Sequence, residues 1–243
     1  MKKIFLSNKA IKELEVIGMG AEGVIYKYNF EGNTIAIKIF NPDIFTSNKL
    51  KKIELVHSRE IDKIVTKPQC LVCVDGKING YSMEYDQNDQ NLESLKTLTP
   101  SEKLEYLKKL RDIIETLHKH NIIIGDLKAT NILVNEGNIK ICDIDNFKVD
   151  DLDPDILNLY SKQYFRKYKK MDEGLDIFSF NILTILFLID GAADELINYI
   201  MKGSYTHNED LRNIIEILLN DKEYTESYII DDPSKLKRKT KEF

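Results

Sequence analysis

Residues 122–134 constrain the chain more than any other stretch. Between two runs of apolar residues they carry three polar side chains, Asp126, Lys128 and Asn131. This pattern predicts a short loop that is held between buried strands and directs its polar groups toward one place. An aspartate can orient a hydroxyl and accept its proton, a lysine can neutralise charge on a moving phosphate, and an asparagine can hold a metal ion. The loop therefore indicates phosphoryl transfer.

A second carboxylate, Asp143, ends another apolar strand and could supply a further metal ligand. Together the two segments resemble the eukaryotic-type protein kinases, whose catalytic loop reads His-Arg-Asp-Leu-Lys-x-x-Asn and whose magnesium motif reads Asp-Phe-Gly. In this chain Ile124-Gly125 replaces His-Arg, and Asp143-Ile144-Asp145 replaces Asp-Phe-Gly. The same segments are also similar to those of aminoglycoside and choline kinases, and of compact, atypical bacterial kinases with an Asp-x-Asp-(Ser/Asn)-Phe run.

A glycine-rich turn lies upstream, at Gly18, Gly20 and Gly23. The G-x-G-x-x-G pattern alone would equally fit a dinucleotide site, but there the turn opens a helix, whereas here it opens a strand. Glycines let backbone N–H groups approach phosphate oxygens, so we expect a hairpin folded over a nucleotide. The next strand, residues 34–40, resembles the kinase Val-Ala-Ile-Lys strand, in which Lys38 would reach the α- and β-phosphates.

A charged helix is predicted for residues 45–65. Within it, Ser58-Arg59-Glu60-Ile61 resembles the segment that carries the kinase glutamate paired with the strand lysine. Glu60 is therefore the expected partner of Lys38, and Glu54 is the alternative if the helix register differs.

The same resemblance implies an adenine pocket. Residues 80–85 resemble the kinase hinge, with Met83 at the back of the pocket and the backbone of Glu84 and Asp86 at the adenine edge. ATP and Mg²⁺ are the implied cofactors. The implied nucleotide-binding residues are Gly18, Gly20, Gly23, Ile25, Ala36, Lys38, Met83, Glu84, Asp86 and Leu133. The implied metal ligands are Asn131 and Asp143, and the implied catalytic residues are Asp126, Lys128, Lys38 and Glu60.

The expected fold is α+β and bilobal. Residues 1–86 would form a kinase-like N-lobe with an antiparallel sheet and one helix, and residues 87–243 a mainly helical, shortened C-lobe. Thr99 and Glu102 predict the capping box of a helix of about twenty residues. A further helix is predicted at residues 210–219.

Residues 175–182 resemble the start of the central helix in protein kinases. The resemblance implies that Asp176 is buried and accepts hydrogen bonds from the backbone just before Asp126. His118 is interpreted as a structural residue. Small-molecule kinases do not generally carry this helix signature, so it favours a protein kinase.

The segment after Asp143 would face the substrate, and it lacks an Ala-Pro-Glu motif. In many kinases the arginine before the catalytic aspartate pairs with a phosphorylated residue of this segment, but Gly125 offers no charge. Asp145 replaces a glycine, which makes a positive φ there costly. We therefore expect an active arrangement without phosphorylation of the segment's hydroxyls, which are Tyr160, Ser161, Tyr164 and Tyr168.

Bulk properties narrow the function further. A net charge of −5 gives no reason to expect nucleic-acid binding, and the basic run at residues 235–241 is interpreted as a solvated terminus. Neither a signal peptide nor an apolar run long enough for a transmembrane helix is visible, so we expect a cytoplasmic protein. Cys70 and Cys73 fall on one predicted strand, three positions apart, and are expected to be buried and reduced rather than zinc ligands.

These observations favour a Ser/Thr protein kinase that phosphorylates a protein substrate and also its own chain. A small-molecule kinase and a nucleotide-binding pseudokinase remain alternatives, as does an effector kinase dedicated to one partner. The identity of the substrate and the oligomeric state are not readable from the sequence.

Overall fold

The computed structural model describes residues 1–95, 97–154, 162 and 169–188 of the 243-residue chain. Its N-terminal part contains one six-stranded sheet and two helices. The strands are β1 (Lys2–Leu6), β2 (Glu15–Met19), β3 (Gly23–Phe30), β4 (Asn33–Phe40), β5 (Pro68–Val74) and β6 (Lys77–Glu84). Their spatial order is β1-β5-β6-β4-β3-β2.

Strand β1 is an addition to the antiparallel sheet that the sequence predicts. It pairs in parallel with β5, whereas the other neighbours in the sheet are antiparallel. Ile4 is 2% exposed and the adjacent Phe5 is 70% exposed. This alternation is what a strand with one buried face requires.

The two helices of this part are α1 (Asn8–Ile11) and α2 (Ser47–Ser58). Thr46 caps α2, because its side chain accepts a hydrogen bond from the N–H of Lys49. The observed α2 is shorter at both ends than the helix predicted for residues 45–65.

The C-terminal end of α2 is set by tertiary contacts that a local pattern does not show. Arg59 has extended backbone angles, and its guanidinium donates to both carboxylate oxygens of Asp150 at 2.7 and 3.0 Å. Ile61, which follows, is 2% exposed. The ion pair and the burial of Ile61 together lead the chain out of the helix, so that Glu60 lies beyond its end.

Helix α3 (Pro100–Lys119) opens the C-terminal part with the predicted capping box. The side chain of Thr99 accepts from the N–H of Glu102, and the Glu102 carboxylate accepts from the N–H of Thr99. Each buried leucine or isoleucine of the helix contributes about 1.5–3 kcal/mol relative to an exposed position. The helix buries one apolar stripe, whose residues are Leu104, Leu107, Leu110, Ile114 and Leu117.

Helix α4 (Glu173–Leu188) packs against α3. Five short strands complete this part of the described chain: β7 (Gln90–Asn91), β8 (Ile122–Ile123), β9 (Ile132–Asn135), β10 (Asn138–Ile141) and β11 (Lys148–Val149). β7 precedes α3, and the other four lie between α3 and α4 in the sequence. β8 pairs with β11, and β9 lies between β10 and β7. The polar loop at residues 124–131 is therefore held between β8 and β9, as predicted, and the expected α+β kinase-like fold is confirmed.

Cys70 and Cys73 are buried free thiols, as expected, and the described residues contain no cluster of His, Cys, Asp and Glu that could hold a metal. No helix within the described ranges has the length and apolar character needed to cross a bilayer. The helix predicted at residues 210–219 and the hydroxyls of Tyr160, Ser161, Tyr164 and Tyr168 lie outside the described residues.

Candidate active site

A cleft of about 880 Å³ lies between the six-stranded sheet and the segment from β9 to β11. Both the glycine-rich turn and the polar loop line it. Every predicted site residue except Glu60 contributes to its wall: Gly18, Gly20, Gly23, Ile25, Ala36, Lys38, Met83, Glu84, Asp86, Asp126, Lys128, Asn131, Leu133 and Asp143. Residues from five separate segments of the sequence thus meet at one cavity.

The polar loop is organised around Asp126, which is 9% exposed. Lys128 Nζ donates to Asp126 Oδ2 at 2.7 Å. The amide nitrogen of Asn131 donates at 3.1 Å to the same oxygen and to the Asp126 carbonyl. Asp126 Oδ2 thus accepts hydrogen bonds from both Lys128 and Asn131, which fixes the three side chains relative to one another.

The backbone just before Asp126 is held by Asp176 of α4. The N–H groups of Ile124 and Gly125 donate to its two carboxylate oxygens at 2.8 and 2.9 Å, and His118 Nε2 lies 2.9 Å from Oδ2. Asp176 is fully buried, so each of these bonds offsets the cost of removing its charge from water. This confirms the contact expected from the central-helix signature and the structural interpretation of His118.

Two glycines of the site have backbone reasons to be glycine. Gly125 has a φ of +70°, in the left-handed region that other residues adopt only at a cost. A Cβ on Gly23 would come within 2.3 Å of the Ile39 carbonyl oxygen on the neighbouring strand. Gly125 therefore has a conformational role besides its lack of charge.

The segment at Asp143 contains a left-handed backbone position. The positive φ, +64°, falls on Asp143 itself, and Asp145 lies in a short 3-10 turn spanning Ile144–Asn146. Asp145 itself does not adopt the positive φ that its side chain would make costly. Aspartate is among the non-glycine residues that adopt left-handed angles most readily, so the positive φ at Asp143 costs less than it would for most other residues.

Lys38 lies at the centre of the charged groups and is 5% exposed. Its ammonium group forms an ion pair with Asp143 and donates to Asp145 Oδ1 at 2.7 Å. Burial alone would lower the pKa of Lys38, but the carboxylates of Asp145 and Asp143 raise it above its ordinary value. Lys38 is therefore a permanent cation at the wall of the cleft.

The predicted pair of Lys38 with Glu60 is not formed. Glu60 is exposed and lies after the end of α2, and Glu54, the alternative, is also exposed. The physical reason is the early end of α2 at Arg59. In this structure Asp145 occupies the place beside Lys38 that the resemblance assigned to a helix glutamate.

Lys49, a fully buried lysine of α2, was not predicted as a residue of the site. Its ammonium group lies 3.3 Å from Asp145 Oδ2 and 2.9 Å from Glu22 Oε1 in the glycine-rich turn. A signal for it exists in the sequence. Lys49, Lys52, Ile53 and Val56 are the buried residues of α2, and their spacing is that of one helical face.

The residues that could hold a divalent cation are Asp143 and Asn131. The Asp143 side chain is 33% exposed and lines the cleft. Asn131 uses its amide nitrogen toward Asp126, which leaves the amide oxygen as the ligand atom. Magnesium in nucleotide sites is typically held by one or two carboxylates together with phosphate oxygens. A two-residue donor set beside a basic residue fits such an ion.

Comparison with known proteins agrees with this geometry. The family described as "Protein kinase domain" matches residues 11–192, which include both walls of the cleft. The chain therefore belongs to the protein kinase domain family, and this membership implies the use of ATP and a divalent metal.

Similar curated proteins include a mitogen-activated protein kinase kinase kinase, dlk-1, from Caenorhabditis elegans, which is 33% identical over 55% of this chain and 14% of its own length. The serine/threonine-protein kinase KIC1 of Saccharomyces cerevisiae is 33% identical over 54% of this chain and 13% of its own. The mitogen-activated protein kinase HOG1 of Blumeria graminis is 25% identical over 69% and 50%. The chain thus spans only a small part of the first two relatives.

Proposed function

We propose that this chain is an ATP-dependent Ser/Thr protein kinase of an atypical, compact type, with Mg²⁺ as its metal. The observation that carries the proposal is the joint presence of Lys38, Asp126, Lys128, Asn131 and Asp143 on one cleft. Those residue types supply the polar roles that phosphoryl transfer needs. We also propose the division into an N-lobe of residues 1–86 and a C-lobe of residues 87–243.

We propose one role for each of these residues. Lys38 binds the α- and β-phosphates, and the glycine-rich turn covers them with backbone N–H groups. Asp126 orients the acceptor hydroxyl and takes its proton as the oxygen–phosphorus bond forms and the bond to the β-phosphate oxygen breaks. Lys128, 2.7 Å from Asp126, stabilises the charge on the moving group. Asp143 and Asn131 would hold the Mg²⁺ ion, which would supply charge neutralisation at the phosphates.

The substrate is proposed to be a protein, and the acidic balance of the chain supports a protein over a nucleic acid as partner. A cytoplasmic location is proposed from the sequence. Glu84 and Asp86 remain proposed as the hinge residues at the adenine edge. The Asp86 carboxylate accepts from the Asn88 N–H and from Asn135 Nδ2, each at 2.8 Å, and the second bond ties this residue to β9.

The test is intact-mass analysis after incubation with Mg²⁺ and ATP, with the protein alone, with generic protein substrates, and with choline and aminoglycosides. We expect mass increments of one phosphate on serine or threonine of the chain or of a protein substrate. Phosphate found on a small molecule alone would support the small-molecule kinase. Binding of ATP without transfer to any acceptor would support the pseudokinase or a kinase dedicated to one partner.

A further inference from the structure

Asp145 uses both of its carboxylate oxygens inside the protein. Oδ1 accepts from Lys38 Nζ at 2.7 Å and from the Tyr81 hydroxyl at 2.9 Å, and Oδ2 accepts from Lys49 Nζ at 3.3 Å. Asp145 is fully buried, and Lys49 is 1% exposed. Burial raises the pKa of Asp145, but the charges of Lys38 and Lys49 more than offset this and hold it below its ordinary value.

Asp143 and Asp145 face different surroundings although they are separated by one residue. Asp143 lines the cleft with a side chain that is 33% exposed, whereas the Asp145 side chain is 0% exposed and does not line the cleft. Asp143 can therefore turn to a cation in the cleft. Asp145 would then remain as the carboxylate that holds Lys38.

Helix α2 contributes a cation to this arrangement. Lys49 bridges Asp145 and Glu22, whose side chain is 12% exposed. A buried ammonium is costly unless it is paired on several sides, and here two carboxylates meet it. Opposite charges thus alternate from Glu22 through Lys49 and Asp145 to Lys38, linking the glycine-rich turn, α2, the turn after Asp143 and β4.

We propose that Asp145 is the positioning residue for Lys38 and that Lys49 of α2 holds Asp145 in place, so that no helix glutamate is needed. The proposal rests on the proposed function in that Lys38 is assigned to the phosphates of ATP. It predicts that the charge of Asp145 matters for the phosphates of the nucleotide and not for its adenosine part.

The experiment compares the binding of Mg-ATP and of adenosine by calorimetry, for the full chain and its variants. Asp145→Asn should weaken ATP binding about tenfold or more, as expected when a hydrogen bond to a charged group is lost, while adenosine binding stays within about twofold. Lys38→Met should give the same pattern, and the double variant should be no weaker than Lys38→Met alone, because the two residues act as one unit. Lys49→Met should shift ATP binding in the same direction by a smaller factor.

Glu60→Gln tests the rival arrangement and does not depend on Asp145→Asn folding. It should bind both ligands like the unaltered chain, as should Asp62→Asn, a matched control whose side chain is 65% exposed. Loss of ATP binding in Glu60→Gln, equal weakening of ATP and adenosine in Asp145→Asn, or full additivity in the double variant would overturn the proposal. Because the readout is nucleotide binding rather than phosphate transfer, these results are independent of whether the chain phosphorylates a protein.

Discussion

The N–H of Gly125 donates to Asp176 Oδ1 at 2.9 Å, and this bond ties the loop that carries Asp126 to helix α4. Gly125 precedes the proposed catalytic aspartate directly. The Ile124 N–H and His118 reach the other oxygen of Asp176. The loop is therefore held in place by the Asp176 carboxylate, which does not line the cleft.

Asp176→Asn should destabilise the fold by about 2–4 kcal/mol. The groups that bond to Asp176 share the two oxygens of its carboxylate, whereas an amide would offer them one acceptor oxygen. Urea unfolding would measure the change. Asp112→Asn is the matched control, since the Asp112 side chain is 70% exposed, and its effect should stay within about 0.5 kcal/mol. Equal urea midpoints for Asp176→Asn and Asp112→Asn would contradict the claim that the buried Asp176 carboxylate stabilises the fold through these bonds.

The capping box of α3 should give a pH-dependent contribution to stability. The hydrogen bonds from the Thr99 side chain and backbone lower the pKa of Glu102. A group with a lowered folded pKa stabilises the protein above its unfolded pKa, about 4.3, and loses that contribution as the pH falls through the folded value. Glu102→Gln should therefore unfold at lower urea than the unaltered chain at pH 7. The gap should close toward pH 3, and a gap that widens with acid would rule out this linkage.

The thiols should be inert in the folded protein. Burial, with a smaller effect of Asp143, raises the pKa of the Cys142 thiol to about 12, so the reactive thiolate is scarce at pH 8. Cys70 and Cys73 are buried. Iodoacetamide should label these three residues at pH 8 only after urea is added, as read by intact mass. Chelation at fixed free Mg²⁺ should leave activity unchanged, and stoichiometric zinc in the purified protein would contradict the assignment of both buried thiols.

Phosphoryl transfer by this chain should not require phosphorylation of the segment that follows Asp143. Gly125 offers no guanidinium to pair with a phosphate. Its φ of +70° is a left-handed conformation that favours glycine at that position. After complete dephosphorylation, the first turnovers should show no lag, and Ser161→Ala should keep most of its rate. A long lag that prior phosphorylation of the segment abolishes would reveal a switch and contradict this interpretation of Gly125.

Local patterns predicted the parts of the site that depend on neighbours in sequence. The spacing of Asp126, Lys128 and Asn131 and the capping box at Thr99 are short-range features, and the structure contains them as expected. Each segment also resembled its kinase counterpart closely enough to predict that the cleft would include Lys38 and Asp143.

The partner of Lys38 could not be predicted in this way, because it depends on contacts between distant segments. Helix α2 ends where Arg59 meets Asp150, 91 residues along the chain. Lys49 is buried because Asp145 and Glu22 face it from two other segments. A lysine on an apolar helix face was visible in the sequence, but its partner was not.

The most direct test of the central claim is transfer of the γ-phosphate of radiolabelled ATP to protein by the unaltered chain and by Lys38→Met, Asp126→Asn and Asp143→Asn. All three variants should fold, since Asp145 keeps Lys49 and Tyr81 when Lys38 is replaced and Asp126 and Asp143 act at the cleft. We expect label on serine or threonine with the unaltered chain and with Asp112→Asn, and a loss of at least about a hundredfold in each of the three variants. Undiminished transfer by any of the three folded variants would contradict the assigned site.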